Sequence, residues 1–388
     1  CILALRLHSL GDEISASAAE YPPSSGMMVS LHGNPCLEKG GSKNNREGYA
    51  LVQLLKTCGK KKDLFKGSRL HVEILRKGLL EKCPYLSSSL ISMYSKCGAI
   101  GKAQILHDQL AVPSIVSWNA LIAGYTQCRQ GHEALNCFEK MQKVGVSPNS
   151  ITYVSVLKAC GTMKCIDKGK QIHDEIVRRG FLQKNIVLGN ALVDMYAKCN
   201  ELAKARQVLE DLPVRDIFSW SALISGYTQK GHDHEALKCF NHMQGEGFYP
   251  DAIIFLSVLN ACSHSGLFDE AEMYFRNMNG KYGLTPNVQH HTCLVSLLGC
   301  VGHLDKAMSV IKGIPSSTYT PIWLALLCAC RKWGNVKLGR LAFNHTIQLD
   351  DSCSAAYVLM AAIYTAAGMI EDAEKIEAMR PNVLLLRI

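Results

Sequence analysis

An all-α superhelical solenoid of stacked antiparallel helix pairs is the fold this sequence predicts, and three observations predict it. The chain repeats itself at a lag of 102 residues, its segments carry apolar residues at helical spacing, and Gly or Pro closes each segment. The stretch IVSWNALIAGYTQCRQGHEALNCFEKMQKVGVSPN (115–149) returns as IFSWSALISGYTQKGHDHEALKCFNHMQGEGFYPD (217–251), matching at roughly 20 of 35 positions. LLKTC, VLKAC and VLNAC end at Cys58, Cys160 and Cys262, while MYSKC and MYAKC end at Cys97 and Cys199.

Taken in order, residues 1–47 carry PPSSG, HGNP and GGSKNN and read as linker or disordered chain; the start at Cys1 rather than Met leads us to expect that the true N-terminus and any targeting peptide are missing. The repeats then divide as 48–83, 150–185 and 252–287 (36 residues each), 84–114 and 186–216 (31), and 115–149 and 217–251 (35), followed by a drifting copy at 288–319. Within one of them, Trp118, Leu121, Ile122 and Tyr125 fall on one helical face. Ala134, Leu135, Phe138 and Met141 do so again after a turn at 129–131. Gly145 with Pro148, and Gly247 with Pro250, stop the second helix. One helix pair cannot bury its own apolar face, so neighbours must stack, with a concave groove along the stack. Residues 320–388 read as further, divergent helical repeats.

Composition narrows the function. No apolar run approaches the 18 residues of a membrane span, so no membrane partner is expected. The 42 Lys and Arg against 33 Asp and Glu, a formal charge of +9, permit a polyanionic partner without requiring one. The 17 cysteines contain no C-x-x-C pair and recur inside apolar helical patterns, as buried thiols do.

The alternation of 35-, 36- and 31-residue units resembles the P, L and S motifs of plant organellar pentatricopeptide repeat proteins. SWNALIAGYTQ with HEAL, F, M, G and P carries the P resemblance, VLKAC with DKGKQIH the L, and GNALVDMYAKC the S. PIWLALLCACRKWGNVKLGR and YVLMAAIYTAAGMIEDAEKI resemble the two E motifs of editing factors, without a DYW deaminase domain after them; the tail EAMRPNVLLLRI departs from that pattern. The resemblance implies a protein of the mitochondrion or chloroplast that binds single-stranded RNA one base per repeat. It also implies that 320–388 engages a DYW-type deaminase or other editing factors.

By the same resemblance, the fifth and last residues of each motif read the base and the second packs against it. This assigns Asn119 with Asn149 to a pyrimidine, Asn190 with Asp216 to uridine and Ser221 with Asp251 to guanosine, between Val116, Val187 and Phe218. Short Asn, Asp, Ser and Thr side chains can reach a Watson–Crick edge. The same types also favour helix N-caps, an alternative reading for Asp216 and Asp251 in particular. Asn119 and Asn190 lie inside their helices, where Asn is a poor helix former and needs a reason. Ser88 with Ser114, and Thr292 with Tyr319, lack the last-position Asp or Asn and give weak readings. Val52, Val154 and Leu256 offer a base edge nothing.

Two rival classes lack their signatures in this sequence. A zinc deaminase needs H-x-E with P-C-x-x-C; His71-Val72-Glu73 and His173-Asp174-Glu175 match the first half only, and Phe275 fills the third equivalent position, so these histidines read as packing. No phosphate loop, dinucleotide turn or paired-acid signature appears, so neither enzyme nor cofactor is expected. A tetratricopeptide scaffold would show a period of 34 and a W-x-x-L-G-x-x-Y signature, and shows neither.

Overall fold

The computed structural model describes residues 43–82, 84–314 and 319–381, and every regular element among them is helical. The described residues divide into two compact units, one running to Gly226 and the other from Tyr227 onward. In the first unit the helices are α1 (Lys43–Lys61), α2 (Leu64–Arg76), the short α3 (Leu79–Lys82), α4 (Pro84–Lys96), α5 (Ile100–Asp108), α6 (Ile115–Gln127) and α7 (Gly131–Lys143). They continue as α8 (Ser150–Met163), α9 (Ile166–Arg178), α10 (Ile186–Lys198) and α11 (Leu202–Asp211), and α12 (Ile217–Gln229) holds the division point. The second unit contains α13 (Asp233–Gly245), α14 (Ala252–Ser265), α15 (Phe268–Gly280), α16 (Val288–Cys300), α17 (Leu304–Lys312), α18 (Thr320–Trp333), α19 (Val336–Leu349), α20 (Ser354–Ala366) and α21 (Ile370–Ala378).

Each pair packs on the next through its first helix. In the first unit α1, α4, α6, α8 and α10 touch in succession, and α14, α16, α18 and α20 do so in the second. Within each unit the first helices therefore form one continuous layer. The apolar spacing explains this: Trp118, Leu121 and Ile122 of α6, and Leu188, Leu192 and Val193 of α10, are buried between neighbours on both sides. Around α18 the second unit gathers a core of Trp323, Leu326, Leu327, Phe343, Met360 and Ile363.

Two devices set the repeat geometry. At each turn within a pair the chain adopts a left-handed residue, which is Gly98 or Gly231 in some repeats but Arg129, Lys164 and Asn200 in others. Close helix approach is the second: a Cβ on Gly226 would lie 2.7 Å from Ala197 Cβ, and one on Gly124 would lie 2.5 Å from Ser95 Cβ.

One expectation needs correction. Helix α1 begins at Lys43, inside the segment read as linker, because past Gly41 no proline interrupts the chain and burial of Leu51, Val52 and Leu55 outweighs the cost of Gly48 and Gly59, about 1 kcal/mol each. Glu47 of this turn binds Lys77 at 2.6 Å. The rest of that segment, residues 1–42, and the end of the divergent tail, 382–388, lie outside the described residues.

Nine of the fourteen described cysteines are buried as the apolar pattern requires, four are half-buried and Cys300 is exposed. Cys160 and Cys262 are buried in equivalent helices, and burial pushes both thiols up to about 12. The described cysteines are free thiols.

Candidate nucleic-acid interface

The expected base-reading positions fall at one structural place, the start of each first helix. Its first turn carries the second and fifth residues, and the residue before the helix is the last of the preceding repeat. That last residue caps the next helix in most repeats: Ser114 accepts from Ser117 N, Asn149 from Thr152 N, Asn185 from Leu188 N, Asp251 from Ile254 N and Asn287 from His290 N, whereas Tyr319 makes no side-chain cap bond. Capping is thus a fact for these residues, since the first amides of a helix have no partner of their own.

Capping does not exhaust them. Asp216 Oδ1 accepts from the amides of Phe218 and Ser219, both at 3.0 Å, while its Oδ2 accepts from Asn190 Nδ2 at 3.1 Å. The carboxylate bridges the fifth and last residues of one repeat while it caps the next helix. Asn149 does the equivalent with an amide: its Oδ1 accepts from Thr152 N at 3.0 Å and from Asn119 Nδ2 at 3.2 Å. Both asparagines therefore have a reason, which is a hydrogen bond to the last residue of their own repeat that an apolar helix former could not make.

Ser221 lies half-buried on α12, and Asp251 caps α14 through Oδ1 at 2.9 Å. Ser88 is half-buried on α4. Thr292 turns its hydroxyl back onto Val288 O at 2.8 Å, a local bond. Val52 is buried, and Val154 and Leu256 are half-buried.

The second positions stand apart from the buried apolar stripe of these helices. Val116, Val187 and Phe218 stay exposed, at 58%, 57% and 43%, although the rest of the apolar stripe is covered. Tyr49, Tyr85, Ile151 and Ile253, at the same position in other repeats, are exposed too. These four were not singled out from sequence, and the signal was there: an apolar or aromatic second residue recurs in every repeat from 48 to 287, off the buried helical stripe.

The H-x-E histidines lie elsewhere and are already engaged. His71 Nδ1 lies 3.0 Å from the Tyr94 hydroxyl and His173 Nδ1 2.9 Å from that of Tyr196, one pair in each of two periods. Burial first, then Lys102 and Lys204 respectively, hold both imidazoles below their ordinary pKa. An open cleft of about 590 Å³ beside His173, lined by Lys170, Asp174, Arg178, Tyr196 and Lys204, includes none of the expected base-reading residues.

Comparison with known proteins fits this architecture. The family model described as PPR repeat family matches residues 113–162 and 215–264, and that described as PPR repeat matches 151–181 and 253–282. An Arabidopsis thaliana pentatricopeptide repeat-containing protein is 35% identical over 336 residues, covering 87% of this chain and 66% of that protein. A putative mitochondrial one from the same plant is 36% identical over 333 residues, 86% of this chain and 53% of that protein. The chloroplastic pentatricopeptide repeat-containing protein CRR2 of Arabidopsis thaliana is 34% identical over 345 residues, 87% of this chain and 52% of that protein. The chain thus spans about half to two thirds of the length of these relatives. Among solved structures, pentatricopeptide repeat protein PPR10 in complex with an 18-nt psaJ RNA element superposes with a TM-score of 0.66 at 17% identity, over 85% of this chain and 55% of that one. At that identity the likeness speaks for the fold alone, an all-α repeat solenoid. On the matched repeats and these relatives together, the chain carries pentatricopeptide repeats and is a homologue of the plant pentatricopeptide repeat-containing proteins.

Proposed function

We propose that this chain binds single-stranded RNA, one repeat to one base, and acts by recognition rather than by chemistry of its own. The observation that carries the reading is the paired fifth and last residues, Asn119 with Asn149 and Asn190 with Asp216, held by hydrogen bonds next to the exposed second-position side chains Val116, Val187 and Phe218. Held amides offer a base edge a preorganised donor and acceptor, and exposed apolar side chains on either side offer a base plane something to pack against. PPR10, whose fold this chain resembles, was crystallised with an RNA element.

The assignments follow from the pairs: pyrimidine at Asn119 and Asn149, any base at the 150–185 repeat, uridine at Asn190 and Asp216, and guanosine at Ser221 and Asp251. Ser88 and Thr292 contribute little. We further propose the P, L, S division given above. The pattern of 320–388 supports an E-type role: specifying a cytidine for C-to-U editing and recruiting a DYW-type deaminase or other editing factor in trans. The exposed Trp333, Ile370 and Met379 give a partner protein apolar surface to meet. Relatives named mitochondrial and chloroplastic support an organellar site of action. RNA stabilisation or splicing is the second reading. Removal of the gene separates them, by loss of editing at one site or loss of a transcript end.

The direct test is selection by the purified chain from a random single-stranded RNA pool at about 150 mM salt, where non-specific phosphate attraction is screened. Enrichment of pyrimidine, any base, uridine, guanosine supports the reading. Binding without enrichment, or none, transfers the function to protein scaffolding.

A further inference from the structure

The cleft beside His173 has no part in the RNA-binding reading. Its volume is about 590 Å³, and it is lined by Lys170, His173, Asp174 and Arg178 of α9, Tyr196 of α10 and Lys204 of α11. The proposed base-reading residues sit at the start of each first helix. Tyr196 meets the cleft in the last turn of α10, ten residues after Ile186, or roughly 15 Å along the helix axis. A strand held at the first turns is therefore most of a helix length away.

The charges of this cleft differ from those around it. The other cations of these three helices are each paired: Lys168 with Glu139 at 2.9 Å, Lys198 with Asp194 at 2.7 Å and Arg206 with Glu210 at 2.9 Å. Lys170, Arg178 and Lys204 have no ion-pair partner among the described residues, and Lys204 reaches only the neutral Gln207 Oε1, at 3.1 Å. Asp174 is the one carboxylate of the lining, which leaves an excess of two positive charges. Like charges facing one concave space repel each other, and an anion between them relieves that repulsion.

His173 adds a neutral hydrogen-bonding group. Its Nδ1 lies 2.9 Å from the Tyr196 hydroxyl, and burial, reinforced by Lys204, holds the ring below its ordinary pKa. When the phenol donates to Nδ1, the ring's hydrogen is on Nε2, which makes no hydrogen bond among the described residues and can donate to an anion. The first period carries His71, Arg76, Tyr94 and Lys102 at the equivalent positions, but Ser68 replaces Lys170 and His71 Nε2 is buried. The third has Glu272, Phe275, Gly280 and Leu298 there and keeps only Lys306. The full set thus belongs to the second period.

We propose that this cleft is a binding site for a small phosphorylated molecule, whose phosphate is held by Lys170, His173 and Lys204. Lys170 stands one turn before His173 on the same face of α9, and Lys204 approaches the imidazole from α11. Three donors around one point suit the three oxygens of a phosphate monoester. Arg178 lies about 12 Å further along α9 than Lys170, beyond the same phosphate, and so serves the far end of the ligand. Val177, 54% exposed, gives the uncharged part an apolar wall. The volume is that of a small-molecule site, about 300–1,000 Å³, rather than of a bare anion. This site shares no residue with the proposed RNA interface and stands or falls without it.

Calorimetric titration of the intact chain at about 50 mM salt tests it, with ribose 5-phosphate, adenosine 5′-monophosphate, inorganic phosphate and adenosine as probes. At least one ester binds saturably and more tightly than inorganic phosphate, and adenosine does not bind. Lys170→Gln and Lys204→Gln each weaken the ester about tenfold, as loss of one charged hydrogen bond does. Asp174→Asn strengthens it about threefold by removing a repelling charge, a gain that misfolding cannot produce. Lys306→Gln, at the equivalent place in the third period, changes nothing. Three results overturn the inference: neither ester binding more tightly than inorganic phosphate, equal losses in Lys204→Gln and Lys306→Gln, or an affinity that Asp174→Asn leaves unchanged. Displacement of the bound ester by random single-stranded RNA overturns it too, by making the cleft part of the RNA path. Failure of the random-pool selection would remove the RNA reading and leave this site standing.

Discussion

Asp216 holds Asn190 with one carboxylate oxygen, at 3.1 Å, and the start of helix α12 with the other. One side chain thus joins the fifth residue of its own repeat to the backbone of the next, so the position of the proposed base-reading amide depends on how two repeats stack. Asp216→Asn keeps the cap and replaces a charged acceptor with the amide chemistry of Asn149. Stability should change by less than about 1 kcal/mol in a thermal melt, since Asn and Asp cap about equally well. The base selected opposite this repeat should move from uridine toward cytidine. Asp216→Ala loses the cap as well, at a cost of about 1 kcal/mol, and should lose base selection there.

Val116 and Val187 are exposed side chains in first turns whose other apolar residues are covered. Val187→Asp should lower RNA affinity by about tenfold, measured by fluorescence anisotropy, through lost packing on the base and repulsion of phosphate. Its thermal midpoint should be unchanged, because surface substitutions away from structural features stay within about 0.5 kcal/mol. A fall in both together would make Val187 a core residue.

Gly226 faces Ala197 across neighbouring first helices, and an added Cβ would stand 2.7 Å from the alanine Cβ. Neither group can swing away, as a long side chain could. Gly226→Ala should therefore force the helices apart and cost about 1–3 kcal/mol in chemical denaturation.

His71, His107, His173 and His290 are all held below their ordinary pKa of 6.5, chiefly by burial. The unfolded chain binds more protons than the folded one once the pH drops below about 6.5, so stability is fully present above that value and is lost as pH falls toward the lower folded values. Thermal midpoints measured from pH 7.5 to 5 should decline. The double variant His173→Phe with Tyr196→Leu, which copies Phe275 and Leu298 of the third period, should shrink that decline.

Helix boundaries were legible because they rest on local physics. The 3.6-residue spacing marks each buried stripe, and Asn, Asp and Ser mark the N-caps of most first helices. The first helices start at Pro84, Ile115, Ser150, Ile186, Ile217, Ala252 and Val288, where the repeat lag places a new segment. Lys43–Glu47 were misread because glycine-rich flanks signal a break but not where the next helix begins. Asn119 and Asn190 drew attention as poor helix formers, and the amide-to-acceptor bonds that answer the question join residues 30 and 26 apart.

The sequence by itself determined the secondary structure, the period and the candidate base-reading positions, since spacing, capping and turn residues act over one or two helical turns. Only the tertiary structure decided which of those positions stay exposed, and that Lys170, Arg178 and Lys204 share one cleft. Those outcomes depend on how closely one repeat approaches the next, and packing between repeats, rather than any local pattern, sets that distance.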